Sequence, residues 1–514
     1  MVDSTHFLSH HNSSDLFVEH EDDEQHPSSL SSTIDLCIGE LNWTQLFQTF
    51  LISFCWIFDG QQTFITIFTD TQPSWHCTDG TCNSATDMCS LPKESWAWDG
   101  PTQISIISEW GLECRSSFIV GLPASMFFLG CLVGGLVLAT LADSSLGRKK
   151  MLFFCCLIMS LASFLAAFST NVWIYSLLKF VSGFGRGTVG TAALVLVSEL
   201  VAKGWRGKLG VMGFYFFSAG FFTLAPLAYI NRGLSWRNLY LWTSIPSILY
   251  CGLIYSFVPE SPRWLLIRGK KEEAVEILKS ISPISHSDLN LAISNMSLEQ
   301  EIWNVDLYSA LKIMLQKKWS LKRLMATTAI GLCIGLVYYG VPLALEILSF
   351  NLYLSVTFNA MTEIPATLLI YVLLGRFNRR SVIFILTTIS GIASVLAVVE
   401  GKIMTRLQIV FELISFFCAC SACDVLIIYT TELFPTSIRN SALSLVRQAV
   451  ALGGAFGPLL VAAGRKHKFL CYGVFGLIIG CSGIFHLCLP ETKGKAFCDT
   501  MDEEETKDKV KLLA

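Results

Sequence analysis

Charged side chains occur within stretches of the sequence that are otherwise almost entirely apolar. They are Asp59, Arg186, Glu346, Glu363, Asp424 and Arg447. A charge inside a membrane helix costs about 3 kcal/mol unless it is paired or hydrated. Such groups therefore either pair with one another or line a polar cavity, where they can bind an ion or a proton. For any one of them, structural pairing is as good an interpretation as a functional site.

Aromatic side chains in the same stretches could bind an organic cation. Tyr338 and Tyr339 are adjacent, and further rings come from Trp56, Phe127, Phe128, Phe221 and Phe222. A quaternary ammonium ion placed over a ring face gains ~0.5–2 kcal/mol. The chain has 36 phenylalanines, however, so most rings must face lipid or other helices.

The composition predicts a membrane protein. Of the 514 residues, 52% are hydrophobic and only 15% are charged, whereas a soluble domain carries about 25% charged residues. Apolar runs of about 20 residues, the length that crosses a bilayer as a helix, recur twelve times. They lie near 45–67, 118–140, 151–170, 173–198, 209–230, 238–258, 324–348, 353–374, 381–399, 407–431, 442–463 and 469–489.

These runs predict an all-α membrane protein in which twelve transmembrane helices form two six-helix bundles. The bundles span 41–258 and 324–489, and a cytoplasmic linker with short helices, 259–323, joins them. Most lysines and arginines fall in segments that this topology places inside the cell, so both termini are expected to be cytoplasmic. Residues 1–40 read as a disordered tail, and 490–514 form a second tail.

The segment 69–116 is a long loop on the predicted exoplasmic side. It contains four cysteines, Cys77, Cys82, Cys89 and Cys114. An even number of cysteines in an oxidising compartment favours two disulfides, but the sequence leaves three pairings open.

The two halves of the chain repeat one another. Glu199 and Arg206 recur as Glu432 and Arg439, and the separation along the chain is the same for both pairs. Pro259-Glu260-Ser261 recurs as Pro490-Glu491-Thr492 at nearly that separation, and Gly147-Arg148-Lys149 has a weaker echo in Asn378-Arg379-Arg380. Duplicated halves are expected of transporters that rock around a site near the bilayer midplane.

These motifs resemble the major facilitator superfamily, and within it the organic ion transporters, particularly the plant organic cation/carnitine group. The resemblance is carried by Ala142-Asp143-Ser144-Ser145-Leu146-Gly147-Arg148-Lys149, by Pro259-Glu260-Ser261-Pro262-Arg263 and by Pro490-Glu491-Thr492-Lys493-Gly494. The cysteine-containing loop and Glu363-Ile364-Pro365 are similar to the organic ion branch. The resemblance implies alternating-access transport of small organic cations or zwitterions.

Charged residues at the predicted cytoplasmic ends of the helices are expected to form a gating network. The set comprises Asp143, Arg148, Lys149, Glu199, Arg206, Glu432 and Arg439. Such groups can pair across the halves when the inner side closes and separate when it opens. A simpler alternative is that the cations only fix the topology.

The expected substrate-binding residues are Asp59, Tyr338, Tyr339, Glu363 and Arg447. Tyr338 lies where the resemblance implies a substrate-facing tyrosine, and Asp59 is a candidate for a coupled proton. Animal organic cation transporters have an acidic residue before a Gly-Gly pair in helix 11, where this chain has Ala451. Arg447 lies one turn earlier on the same face, so a carboxylate-bearing zwitterion is favoured over a simple cation.

Several other functions have no support in the sequence. Gly185-x-Gly187-x-x-Gly190 matches a dinucleotide-binding pattern but lies in an apolar helix, where small residues serve close packing. We therefore expect no enzyme activity, no cofactor, no bound metal and no nucleic-acid partner.

The expected partners are a small organic ion, the lipid bilayer and a coupled proton, with a monomer in the plasma or vacuolar membrane. A proton-coupled sugar transporter and a non-transporting solute sensor remain alternatives.

Overall fold

The computed structural model describes residues 34–35, 37–78, 88–142, 146–281, 307–348, 350–399, 402–465, 468–493, 498 and 501–506. Six long helices make up the first half of the chain. Helix α1 runs through three consecutive segments, and α4 and α5 each through two. The bounds are α1, Trp43–Ser53, Cys55–Phe64 and Thr66–Thr69; α2, Ser117–Ala142; α3, Arg148–Ala166; α4, Val172–Arg186 and Val189–Leu200; α5, Arg206–Gly210 and Met212–Ile230; α6, Trp236–Phe257.

Six further helices make up the second half. They are α7, Lys318–Leu343; α8, Leu352–Arg376; α9, Arg379–Leu396; α10, Lys402–Leu433; α11, Arg439–Gly464; α12, Lys468–Cys481, which continues as a 3-10 helix, Ser482–Cys488. Nine helical stretches in the described part of the chain are long and apolar enough to cross a membrane. The others are α1, which is interrupted, and α6 and α8, which contain several polar side chains. The predicted twelve-helix, all-α architecture is confirmed.

The same close helix crossing occurs once in each half. Gly220 of α5 lies against the backbone carbonyl of Ile57 in α1, and Gly453 of α11 lies against the carbonyl of Leu332 in α7. A β-carbon at either glycine would collide with that carbonyl. Gly220 and Gly453 have the separation that relates the repeated motifs. The repeat therefore extends to helix packing, where small residues let the backbones approach.

A carboxylate caps the start of the third helix in both halves. Glu260 Oε1 accepts hydrogen bonds from the backbone N–H groups of Arg148 and Lys149, at 2.8 and 2.9 Å. Glu491 accepts from the N–H groups of Arg379 and Arg380, at 3.0 and 3.2 Å. These N–H groups have no partner within the helix, and the helix dipole favours a negative charge there. The repeated Pro-Glu motifs therefore hold the end of each half's sixth helix against the start of its third.

Short segments pack on the side of the bundle opposite the cysteine loop. The linker forms helices Pro262–Ile267, Lys271–Ile281 and Leu307–Gln316. Residues 501–506 are helical, and Asp502 and Glu505 accept hydrogen bonds from Lys317, which raises the pKa of that lysine.

Within the segment 1–40, which the sequence predicts to be a disordered tail, residues 34, 35, 37 and 38 are helical. Ile34, Cys37 and Ile38 are buried, and Asp35 pairs with Arg206 of α5. Burial of these apolar side chains explains why this part of the tail is packed.

The cysteine loop is a small folded unit. Strands β1, Trp75–Cys77, and β2, Trp96–Trp98, pair antiparallel. A disulfide joins Cys89 to Cys114, and Cys77 is also disulfide-bonded, while Cys82 lies outside the described residues. Hydrogen bonds from Ser74 and His76 hold the pKa of Asp99 below its usual range. In the described part of this loop the cysteines are therefore used for cross-linking, as expected.

We predict that Glu260→Ala and Glu491→Ala each destabilise the protein by about 1 kcal/mol or more, because two partly buried backbone donors lose their acceptor. Thermal unfolding of the detergent-solubilised protein should show a lower Tm for both variants. Glu276→Ala, at an exposed position of the linker helix, is the control and should leave the Tm unchanged. A normal Tm for Glu260→Ala and Glu491→Ala would contradict the capping role.

Candidate functional site

The charged residues opposite the cysteine loop form one network in each half. Arg148 pairs with Glu199 at 3.7 Å, and Arg379 pairs with Glu432 at 3.0 Å. Because each arginine begins a helix whose N–H groups bind Glu260 or Glu491, each network contains one arginine and two carboxylates. We call these the first-half and second-half gate networks: Arg148, Glu199 and Glu260 in one, and Arg379, Glu432 and Glu491 in the other.

The sequence identified only part of these networks. Glu260, Glu491 and Arg379 were visible as repeated motifs but were not assigned a gating role. Asp143 lies outside the described residues. Glu432 was expected to pair across the halves, but in this conformation it pairs with Arg379 of its own half, so cross-half pairing stays a prediction.

The other expected gating residues make contacts within their own halves. Lys149 donates its backbone N–H to Glu260, and Arg206 pairs with Asp35. Arg439 donates to the carbonyl of Phe434 at 3.4 Å. Asn440 of the second half lines the same small cavity as Glu199 and Arg206, so residues of the two halves meet at this point.

A cavity lies between the halves. It is lined by side chains of α1, α2, α4 and α5 from the first half and of α7, α10 and α11 from the second. Four of the five expected substrate-binding residues line it, namely Asp59, Tyr338, Tyr339 and Arg447. The structure thus brings together side chains from distant parts of the chain.

Asp59 and Arg186 form a buried ion pair in the first-half wall of the cavity. Arg186 Nε lies 2.5 Å from Asp59 Oδ1, and the guanidinium lies 5.8 Å from the centre of the Tyr339 ring. Pairing offsets the cost of placing both charges inside the membrane. The Asp59 carboxylate is therefore already neutralised before a substrate binds.

Glu363 is linked to the cavity through Tyr338. Its carboxylate accepts hydrogen bonds from Tyr338, at 2.9 Å, and from Ser218 in the other half, at 2.7 Å. Tyr338 also stacks on Phe416, with ring centres 5.8 Å apart. Glu363 is buried and is absent from the cavity lining, so it orients Tyr338 in this conformation and does not face the cavity.

Asp424 and Arg447 are the unpaired charges of the cavity. Both line it, and neither has an ion-pair partner within 4 Å among the residues that the structure describes. Nε of Arg447 is buried without a hydrogen-bond partner. Asp424 is one of the charged residues that occur within apolar runs, but the sequence analysis did not predict it to be part of the substrate site.

Five residues tie the two halves together on the side of the cysteine loop. Arg465 Nε lies 2.5 Å from Glu346 Oε1 and donates through Nη2 to the carbonyl of Asp70 at 2.7 Å. Glu346 also accepts from Thr71 Oγ1 at 2.6 Å and from the N–H of Gln72 at 3.1 Å. We call Asp70, Thr71, Gln72, Glu346 and Arg465 the loop-side latch. Glu346 is therefore part of this latch and lies outside the central cavity.

Two six-helix bundles, a charged cavity between them and a gate network in each half define a membrane transporter of the major facilitator superfamily. The chain belongs to the family described as "Sugar (and other) transporter", whose model matches residues 45–502. The members are transporters, so this chain is a transporter and not an enzyme.

Related proteins cover nearly the whole chain. It is 54% identical to "Organic cation/carnitine transporter 3" of Arabidopsis thaliana, over 99% of both chains. It is 51% identical to "Organic cation/carnitine transporter 2" of the same plant, over 95% of this chain and 96% of the relative. The resemblance to the organic ion branch is confirmed.

Solved structures support the fold. The inward-open xylose transporter XylE from E. coli superposes with a TM-score of 0.63 over 90% of this chain and 99% of the other, at 19% identity. At this identity the comparison concerns the fold and carries nothing about the substrate.

We predict that Arg465→Ala loosens the loop-side latch, because it removes the ion pair and one cross-half hydrogen bond. A loss of about 1.4 kcal/mol would raise the population of loop-side-open molecules roughly tenfold. The measurement is the labelling rate, with a membrane-impermeant maleimide, of a cysteine placed at Thr66, which lines a buried cleft under the latch.

Arg232→Ala is the matched control, since Arg232 is an exposed cation outside the latch that stacks on Tyr229. The parent chain without the Thr66 substitution gives the background labelling. Equal labelling rates for Arg465→Ala and Arg232→Ala would show that the latch does not hold this side closed.

Proposed function

We propose that this transporter carries small organic cations or zwitterions of the carnitine type across a membrane by alternating access. The observation that carries the proposal is the pair of unpaired, opposite charges in the cavity, Asp424 and Arg447. The names of the plant relatives agree with this substrate class. The latch and the gate networks supply one set of contacts at each end of the bundle that could be made and broken in turn.

A zwitterion matches the charges of the cavity better than a simple cation. Its carboxylate would pair with Arg447, whose Nε has no partner. Its ammonium group would lie near Asp424 and over the rings of Tyr338 and Tyr339, where ring faces attract cations. Asp59 is paired with Arg186 and Glu363 is held behind Tyr338, so neither carboxylate is placed to bind the ammonium group in this conformation.

We propose that the disulfide-bearing loop lies on the oxidising, exoplasmic side of the membrane, so that the gate networks and both tails face the cytoplasm. We propose that transport uses the membrane potential or a proton gradient, that the monomer is the working unit, and that the plasma or the vacuolar membrane holds the protein.

We predict that Arg447→Ala raises the KM for labelled carnitine more than tenfold and changes the KM for tetraethylammonium much less. The reason is that only carnitine has a carboxylate to lose a charge-assisted hydrogen bond. Uptake into proteoliposomes measures both, with glucose as a third solute.

Gln448→Ala, the next residue along the same helix and also at the cavity, controls for a general disturbance of the wall. An equal rise of KM for both ions would contradict the zwitterion assignment. Uptake of glucose without either ion would overturn the substrate class.

We predict that Asp143→Asn and Arg148→Ala each reduce the transport turnover at least tenfold while the protein still reaches the cell surface. Losing a gate contact changes the balance between the two states and not the substrate site. Uptake rates normalised to surface biotinylation measure this. Full transport by both variants would exclude a gating role and leave only the topological one.

A further inference from the structure

The buried ionisable side chains outside the cavity include a lysine of the first half and a glutamate of the second. Lys179 of α4 is 1% exposed and Glu412 of α10 is 0% exposed, and neither lines the central cavity. Their separation along the chain equals the one that relates Glu199 to Glu432. Lys179 and Glu412 therefore occupy equivalent positions in the two bundles, with opposite charges.

Their surroundings are equivalent as well. Lys179 Nζ lies 4.5 Å from the ring centre of Phe127 and 5.6 Å from that of Tyr240. At almost the same separation along the chain, Phe127 corresponds to Asn359 and Tyr240 corresponds to Tyr472. Asn359 donates a hydrogen bond to Glu412, and Tyr472 is close enough to interact electrostatically with the Glu412 carboxylate.

The charge of Lys179 is stabilised by its neighbours. The two aromatic rings attract the ammonium group, the carbonyl of Gln62 lies 3.5 Å away, and the carboxylate of Asp70 acts on it from the end of α1. These contacts offset part of the cost of burying the ammonium group of Lys179.

Glu412 has no comparable stabilisation. Its Oε2 accepts one hydrogen bond, from Asn359 Nδ2 at 3.2 Å. Its Oε1 is buried without a partner, as are Asn359 Oδ1 and the hydroxyl of Tyr472. Within the described chain no cation lies within ion-pair distance of this carboxylate.

Among the side chains that the structure describes, the amide of Asn359 from α8 and the phenol of Tyr472 from α12 lie near Glu412. Both groups are neutral, and of the two only the phenol can titrate. One turn along α10, Ser415 bonds Ser390 of α9 at 3.2 Å. A charged carboxylate with a single hydrogen bond is costly in such a site. A proton removes the charge and supplies an O–H donor beside unpartnered oxygens.

We propose that Glu412 is a proton-binding site, separate from the substrate cavity, whose loading and release are coupled to transport. The site rests on the proposed transport function. The proton comes from water and binds a carboxylate oxygen, and it returns to water on release. Helix α10 carries Glu412, the cavity residue Asp424 and the gate residue Glu432, so one helix connects the proton site to both.

The first test uses the purified protein in liposomes with labelled carnitine and tetraethylammonium and a pH-sensitive dye inside. Wild type should move protons together with substrate and, for one proton per substrate, accumulate it on the order of tenfold per pH unit of gradient. Glu412→Gln, which copies the neutral form, should still exchange labelled for unlabelled substrate but lose proton movement and gradient-driven accumulation. Ser390→Ala, which removes a neutral hydroxyl of the same interface, should behave as wild type.

The outcomes separate the two claims. No exchange of either probe by wild type would refute the proposed function. If wild type exchanges substrate, two results would refute the proton site but not the transport function. One is that Glu412→Gln still moves protons, and the other is that wild type moves none. Uptake driven by a sodium gradient at equal pH and lost in Glu412→Gln would also overturn it, because the carboxylate would then bind sodium.

A second measurement does not depend on transport. Infrared spectra of wild type should contain the C=O stretch of a protonated carboxyl group, which Glu412→Gln removes and Ser390→Ala keeps. If Glu412→Gln does not fold, Asn359→Leu takes its place. Loss of the bond that favours the charged form should move the pH profile of uptake upward by about 1 unit. An unchanged profile and an infrared band independent of Glu412 would each refute the proposal.

Discussion

A charge held inside a membrane-spanning bundle is costly unless it is neutralised, and this requirement accounts for the ion pairs found within the bundle. Asp59 is paired with Arg186 and Glu346 with Arg465, while the ammonium group of Lys179 lies over two aromatic rings. Charged residues without an ion-pair partner in the described structure are informative, because the free-energy cost of burying their charge is not offset by pairing. Asp424 and Arg447 face a cavity, where the charges of a ligand can pair with theirs. Glu412 does not face the cavity, and there a proton can neutralise its charge.

The repeat explains why the scaffold is symmetric at its ends and asymmetric at its centre. Glu260 and Glu491 cap equivalent helices with almost the same geometry, and Gly220 and Gly453 allow equivalent helix crossings. These contacts hold each bundle together, so both halves need them. Recognition of a zwitterion requires opposite charges at different places, which two identical walls could not provide.

The sequence predicted the fold well because span length, apolar composition and repeated motifs are local signals. Four of the five expected substrate-binding residues line the cavity, two of them charged residues in apolar runs and two of them tyrosines. The sequence could not predict contacts between residues that are far apart along the chain. Only the folded chain shows that Arg186 forms an ion pair with Asp59 and that Tyr338 separates Glu363 from the cavity. Nor could it show that Arg465 reaches Glu346 and Asp70 across the halves.

The latch and the gate networks differ in a way that bears on the direction of movement. In this structure the hydrogen bonds of the latch cross from one half to the other, whereas Arg148 and Arg379 pair within their own halves. The two ends of the bundle are therefore in different states. Alternating access requires the opposite arrangement in the other state, with the latch broken and contacts made across the halves at the gates. Residues that already line one cleft there, Glu199 and Arg206 from one half and Asn440 from the other, are placed to make such contacts.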